Sequence, residues 1–155
     1  MNTNPLIGFI RTLGLIMSGR VLFLGSSVGK QLAMPDGRVF TVFRHVKIRP
    51  KGISPDPEAV FLVRFKPRRM SDRANRVFSL LPMLVFMGFR GFRQKYWAVE
   101  EGTGLCQGLY EWQTMADAGN YANSIAMRFM RNRSVPESVS FEIIDQRAAR
   151  YWAFG

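Results

Sequence analysis

The hydrophobic pattern becomes orderly from about residue 59 onward. Ala59 to Phe65 (AVFLVRF) is an apolar run of strand length, stopped by Pro67. Ser71-Asp72 offers an N-cap, after which Ala74, Val77, Phe78 and Leu81 recur at helical spacing. Pro82 is expected to kink or restart that helix, and Gly88 and Gly91 to end it. Phe92 to Val99 reads as a second strand, Glu100 to Gly104 as a hairpin connection, and Leu105 to Gln113 as a third strand. Thr114 can cap the next helix with Asp117 in its first turn. Ala118, Tyr121, Ala122, Ile125, Ala126, Phe129 and Met130 then follow one face, predicting a single amphipathic helix. Val139 to Ile143 alternates as a last strand, before a tail holding Tyr151, Trp152 and Phe154.

This order, βαββαβ, predicts an α+β, ferredoxin-like domain over residues 58–146 with a four-stranded antiparallel sheet, followed by a tail over 147–155. Both helices are expected on one sheet face. Lys95, Trp97 and Val99 share one parity, with Gln94, Tyr96 and Ala98 on the other. Tyr110 and Trp112 likewise oppose Leu109 and Glu111. Large apolar side chains on both faces require cover for the second one. A homodimer through the sheet, or the N-terminal extension, would supply it.

Residues 1–57 read as an apolar, basic extension. Leu6 to Leu24 is apolar over nearly the length of a membrane span. Arg11 and Arg20 interrupt it and, on one continuous helix, would point to opposite sides, leaving no clean polar face. A segment that packs on a partner, on its own domain or in a membrane interface fits better than a true span. Gly25-Ser26-Ser27-Val28-Gly29-Lys30 superficially suggests a phosphate-binding loop. It has three residues between its glycines instead of four, and Gln31 follows the lysine, so a nucleotide site is rejected. Met34 to Arg38 is a turn leading into a short strand at Val39 to Phe43. Pro50, Gly52, Pro55 and Pro57 then break regular structure, marking the boundary.

Charge and composition narrow the chemistry. The net charge is +11, from 22 Lys+Arg against 11 Asp+Glu. Arg64 to Arg93 contains eight basic residues and one acid, Asp72, while the first fifty residues contain seven bases and one acid. Nucleic acid, an anionic membrane surface or an acidic partner would each suit that asymmetry. Nucleic acid is the least favoured, because the interleaved Gly88-Phe89-Arg90-Gly91-Phe92-Arg93 is only two copies long and already explained by a turn. One cysteine, Cys106, and one histidine, His45, remove most disulfide, zinc and triad chemistry. His45 has no partner at metal-ligand spacing, and a general-base or haem-ligand role for it is the lesser reading. Cys106 reads as a small buried residue.

The stretch Phe89 to Trp97, followed by Gly108-Leu109-Tyr110-Glu111-Trp112 and Ala118 to Ser124, resembles the dimeric α/β-barrel superfamily. Within it, the likeness is to the YdhR-like and antibiotic-biosynthesis-type monooxygenases, over roughly residues 59–145. The resemblance implies a homodimer and a cavity between helices and sheet that takes a small apolar, aromatic or polyketide-like molecule. Lys95, Trp97, Tyr110, Trp112, Asn120, Tyr121 and Ser124 match its motifs, and Arg64 on the first strand could add positive charge. Taken singly, Trp97, Trp112 and Tyr121 read more simply as core residues, and Lys95 as a snorkelling side chain. The implied activity is cofactor-independent oxygenation. No cofactor is predicted, with haem and flavin as open alternatives. The alternative function is a non-catalytic subunit or interaction protein that docks on a membrane or a larger complex through residues 1–50, and on either reading the expected location is cytoplasmic, with a place at the membrane periphery open.

Overall fold

The computed structural model describes residues 4–149; the aromatic tail residues Tyr151, Trp152 and Phe154 lie outside them. The strand-like runs form β4 (Ala59–Phe65), β5 (Phe92–Val99), β6 (Cys106–Trp112) and β7 (Ser140–Asp145). They are preceded by β1 (Val21–Phe23), β2 (Gln31–Ala33) and β3 (Val39–Ile48). All seven belong to one α+β architecture, an open sheet in the order β1-β3-β5-β6-β4-β7 with β2 also on β3, every pairing antiparallel. The sheet therefore has seven strands where four were expected. The reason is β3, which runs to Ile48 and pairs with β5 from Thr41↔Val99 to Lys47↔Gln94. It covers the row of backbone groups that β5 would otherwise expose as an edge.

The helices are α1 (Pro5–Met17), α2 (Asp72–Phe78), α3 (Leu80–Phe86), α4 (Met115–Ala122), α5 (Ile125–Asn132) and α6 (Gln146–Ala149). The main core lies between the sheet and α3, α4 and α5, built on Phe61, Phe86, Trp97, Tyr110, Trp112 and Tyr121. Two helix expectations need correction. The break before α3 falls at Ser79, and Pro82 sits in the first turn of α3, where its missing N–H has no intrahelical partner to lose. The predicted single helix over residues 118–130 is two, because Ser124 leaves helical geometry and its hydroxyl caps α5 by accepting from Met127 N.

The apolar N-terminal run also divides. α1 is capped by Asn4 and ends at Met17, with Gly19 at φ +66°. Arg20 thus leaves the helix, and its Nε donates to the Arg49 carbonyl at 2.8 Å. Among the described residues no helix is long and apolar enough to cross a membrane. α1 packs across the C-terminal end of α3, where a Cβ on Gly8 would stand 2.6 Å from the Val85 carbonyl oxygen and one on Gly88, just past α3, 1.9 Å from the Gly8 carbonyl oxygen.

On the second sheet face Val60, Leu62, Tyr96, Ala98 and Leu109 pack under Leu32, Met34, Phe40 and Val42 of the β2–β3 hairpin. A bulge between Val42 and Arg44 lets β3 serve both faces. Phe40 and Val42 point to this second face, while Phe43, Val46 and Ile48 belong to the helix-side core.

Candidate functional site

Strand parity assembles the site. In β6, Cys106, Gly108 and Tyr110 share the helix-facing side, and β5 contributes Lys95 and Trp97 at the paired positions Lys95↔Tyr110 and Trp97↔Gly108. Gly108 is glycine for space: a Cβ there would lie 2.8 Å from the Tyr110 ring and 3.3 Å from Lys95 Cε. The lysine stem therefore runs across the sheet without obstruction. Above it, Asn75 of α2, Ser79 and Pro82 at the α2–α3 junction, and Phe129 and Met130 of α5 close a cavity of about 40 Å³.

Lys95 is the feature that sets this cavity apart. It is 6% exposed, and its Nζ donates to Tyr110 Oη at 2.5 Å. Tyr121 Oη donates to the same oxygen at 2.7 Å. The amine lies over three aromatic rings, 4.0 Å from the centre of Tyr110, 4.2 Å from Trp97 and 4.8 Å from Phe86. The cavity lining holds two basic side chains, Lys95 and Arg133, and no carboxylate. Burial, reinforced by the positive charge of Arg44, pushes the Lys95 ammonium well below its ordinary range. Burial likewise pushes the Tyr110 and Tyr121 phenols up. Burial thus disfavours the charged form of all three groups that meet at the cavity, the Lys95 amine and the two phenols.

The surroundings add a thiol and a cationic rim. Asn75 Nδ2 donates to Cys106 Sγ at 3.3 Å, and burial raises that thiol to about 11. Arg44 lies 5.2 Å above Trp97 and donates to Ser79 Oγ and the Arg76 carbonyl, both at 2.7 Å. Arg133 is held between the Phe78 and Phe129 rings, at 5.0 and 4.9 Å. An apolar space holding a desolvated amine and the Arg133 guanidinium, with no carboxylate in its lining, suits an oxygen-bearing ligand that is, or becomes, an anion.

Of the residues singled out in the sequence, Lys95, Trp97, Tyr110 and Tyr121 meet at this cavity. Trp112 shares their face but lies in the core, fully buried, stacked beside Tyr110 and tilted against Tyr121. Asn120 is exposed on α4, and Ser124 is the α5 cap. Arg64 is on the opposite face, donating to Gln107 Oε1 at 2.9 Å and ion-paired with Asp36. Sequence reasoning missed Asn75, Arg44 and Arg133, whose placement depends on long-range folding. Cys106 could have been found, because it shares its parity with Tyr110.

His45 lies across the sheet from the cavity, stacked on Tyr96 at 3.8 Å. Its Nδ1 accepts from Ser27 Oγ at 2.7 Å, and its Nε2 donates to Gln94 Oε1 at 2.9 Å. Gln94 Nε2 in turn donates to Glu111 Oε2 at 2.7 Å, which fixes this assignment of donors. With both ring nitrogens engaged, His45 serves as a link between segments. Among the described residues no group of three or more His, Cys, Asp or Glu could hold a metal ion. Comparison with known proteins finds no matching family model, no matching curated protein and no matching solved structure.

Proposed function

We propose that the Lys95 cavity binds a small apolar, aromatic molecule bearing an acidic hydroxyl, and that the chain acts on it as a cofactor-independent, monooxygenase-like enzyme. The observation that carries this reading is a buried amine, bonded to Tyr110 and facing a carboxylate-free cavity. The oxygen-bearing end of the ligand lies toward Lys95, and its apolar body lies against Phe43, Phe65 and Phe129 of the cavity lining. Lys95, uncharged, takes the hydroxyl proton, and the resulting ammonium stabilises the anion it has made. The electron-rich anion then reacts with dioxygen. One oxygen atom enters the substrate as a carbonyl at a former CH₂ group and the other leaves as water, the substrate supplying all four electrons.

The antiparallel order β5-β6-β4-β7, with two helical connections over one face, supports reading residues 58–146 as a ferredoxin-like core whose second face the chain's own β2–β3 hairpin covers in place of a second copy's sheet. The resemblance in residues 89–124 supports the reaction class. Oxygen uptake by full-length protein with anthrone-type hydroxyaromatics tests it. Uptake should depend on protein and fall about a hundredfold in Lys95→Met, the scale of a lost general base. No uptake and no bound aromatic by native mass spectrometry, or equal uptake by Lys95→Met, contradicts the proposal. One observation favours a second, non-catalytic reading: about 40 Å³ is well short of a usual ligand pocket. That reading predicts the first of those contradictory results.

A further inference from the structure

Helix α1 buries only a narrow side. Gly8 and Thr12 are buried, facing α3, whereas Leu6, Phe9, Ile10, Leu13, Ile16 and Met17 are all exposed, Leu6 by 64% and Met17 by 89%. At about 100° per residue, Leu6, Ile10, Leu13 and Met17 fall within about 60° of one another, on the side away from Gly8 and Thr12. Arg11 is exposed about 100° beyond Ile10, between this apolar side and the Gly8 side, where its long stem can carry the guanidinium away from the domain. The helix is no loose terminus, because Asn4 Oδ1 accepts from Leu6 N at 2.9 Å and the Gly8–Gly88 crossing fixes it on the domain. An apolar face of this continuity, left uncovered by the rest of the chain, marks an interaction surface.

Charge selects its occupant. No Asp or Glu precedes Asp36, while Arg11, Arg20 and Lys30 lie in the same stretch. Helix α3, which α1 packs against, carries no charged residue and so offers no acid to these bases. A second copy docked through α1 would bring Arg11 and Arg20 toward their own counterparts, with no acid in that stretch to pair them. An anionic bilayer offers an apolar layer for the helix face and phosphates for the arginines. With 13 residues, about 20 Å long, α1 can lie in such a surface and is too short to cross it.

We propose that α1 is an interfacial anchor that lays Leu6, Ile10, Leu13 and Met17 into the headgroup–acyl boundary of an anionic phospholipid bilayer. This surface is separate from the Lys95 cavity, and its test does not depend on that site. Full-length protein is sedimented with phosphatidylcholine vesicles with and without phosphatidylglycerol. Wild-type protein should pellet with the anionic vesicles, less so as salt is raised. Ile10→Glu/Leu13→Glu, which alters exposed positions only, should bind at least tenfold more weakly with an unchanged circular dichroism spectrum. Ile53→Glu, on the exposed connection before β4, should bind like wild type. Absence of anionic-lipid binding, or binding that survives Ile10→Glu/Leu13→Glu, overturns the proposal. So does a concentration-dependent dimer, abolished by the same pair of substitutions, in protein that ignores vesicles; that result assigns the face to a second copy.

Discussion

Lys95 shows how burial changes what a side chain can do. An exposed lysine is a hydrated cation, but under Trp97, Phe86 and Tyr110 the charged form has lost its water and gained no carboxylate. The consequence for stability has a definite sign. The folded-state value is depressed below the unfolded one, about 10.4, so in the window between them the unfolded chain binds the extra proton. The Lys95 contribution is therefore fully favourable above about 10.4 and is lost as pH falls toward the folded value. Urea unfolding midpoints should rise from pH 7 to pH 10 in wild type more steeply than in Lys95→Met. Parallel pH profiles for the two proteins would show that the amine stays charged when folded. The sequence placed Lys95 and Trp97 on one face by parity alone, yet it could not show that the lysine is sealed in. The sealing comes from α2 and α5, which are distant along the chain.

At the scale of elements, local pattern sufficed where one residue type dominated and failed where two signals competed. β4 and β5 coincide with their predicted spans because apolar and aromatic runs bounded by Pro or Gly allow little else. Periodicity carried the 118–130 helix across Asn123-Ser124, where side-chain capping competes with helix continuation and won. The α1–α3 crossing was also hidden, since Gly88 reads as a helix terminator and nothing local pairs it with Gly8. Gly88→Ala should destabilise the fold by about 3 kcal/mol, as expected for overpacking against rigid backbone. Gly14→Ala, at an exposed position with open space around it, should be neutral or slightly stabilising because alanine favours helix. Chemical denaturation of both variants checks this, and equal stabilities would mean that the helices do not cross at these glycines.

For the whole molecule, the largest departure from the sequence reading is that the N-terminal region joins the sheet. β3 extends it past β5, and the β2–β3 hairpin covers the second face. A chain of hydrogen bonds, Ser27–His45–Gln94–Glu111, ties the Gly25–Ser27 turn to three neighbouring strands. Arg64 and Asp36 tie the hairpin tip to β4. The Met34–Arg38 turn, the start of β3 and the extension as a possible cover were legible beforehand; these polar links were not, because their partners come from separate segments that no periodicity links. The +11 charge also takes a different meaning once folded. Of its N-terminal share, Arg11 and Arg20 lie in or beside an exposed apolar helix and Arg44 lies over Trp97, while the amine of Lys95 is enclosed on the helix side of the sheet. The account depends most on that enclosed amine being uncharged and available. The direct measurement is a ¹³C NMR pH titration of the lysine Cε signals in full-length protein, with Lys95 assigned by its absence in Lys95→Arg. The Lys95 signal should titrate well below the free-lysine value of about 10.4 and shift when a hydroxyaromatic ligand is added. Titration at or above that value, with no response to ligand, would contradict the account.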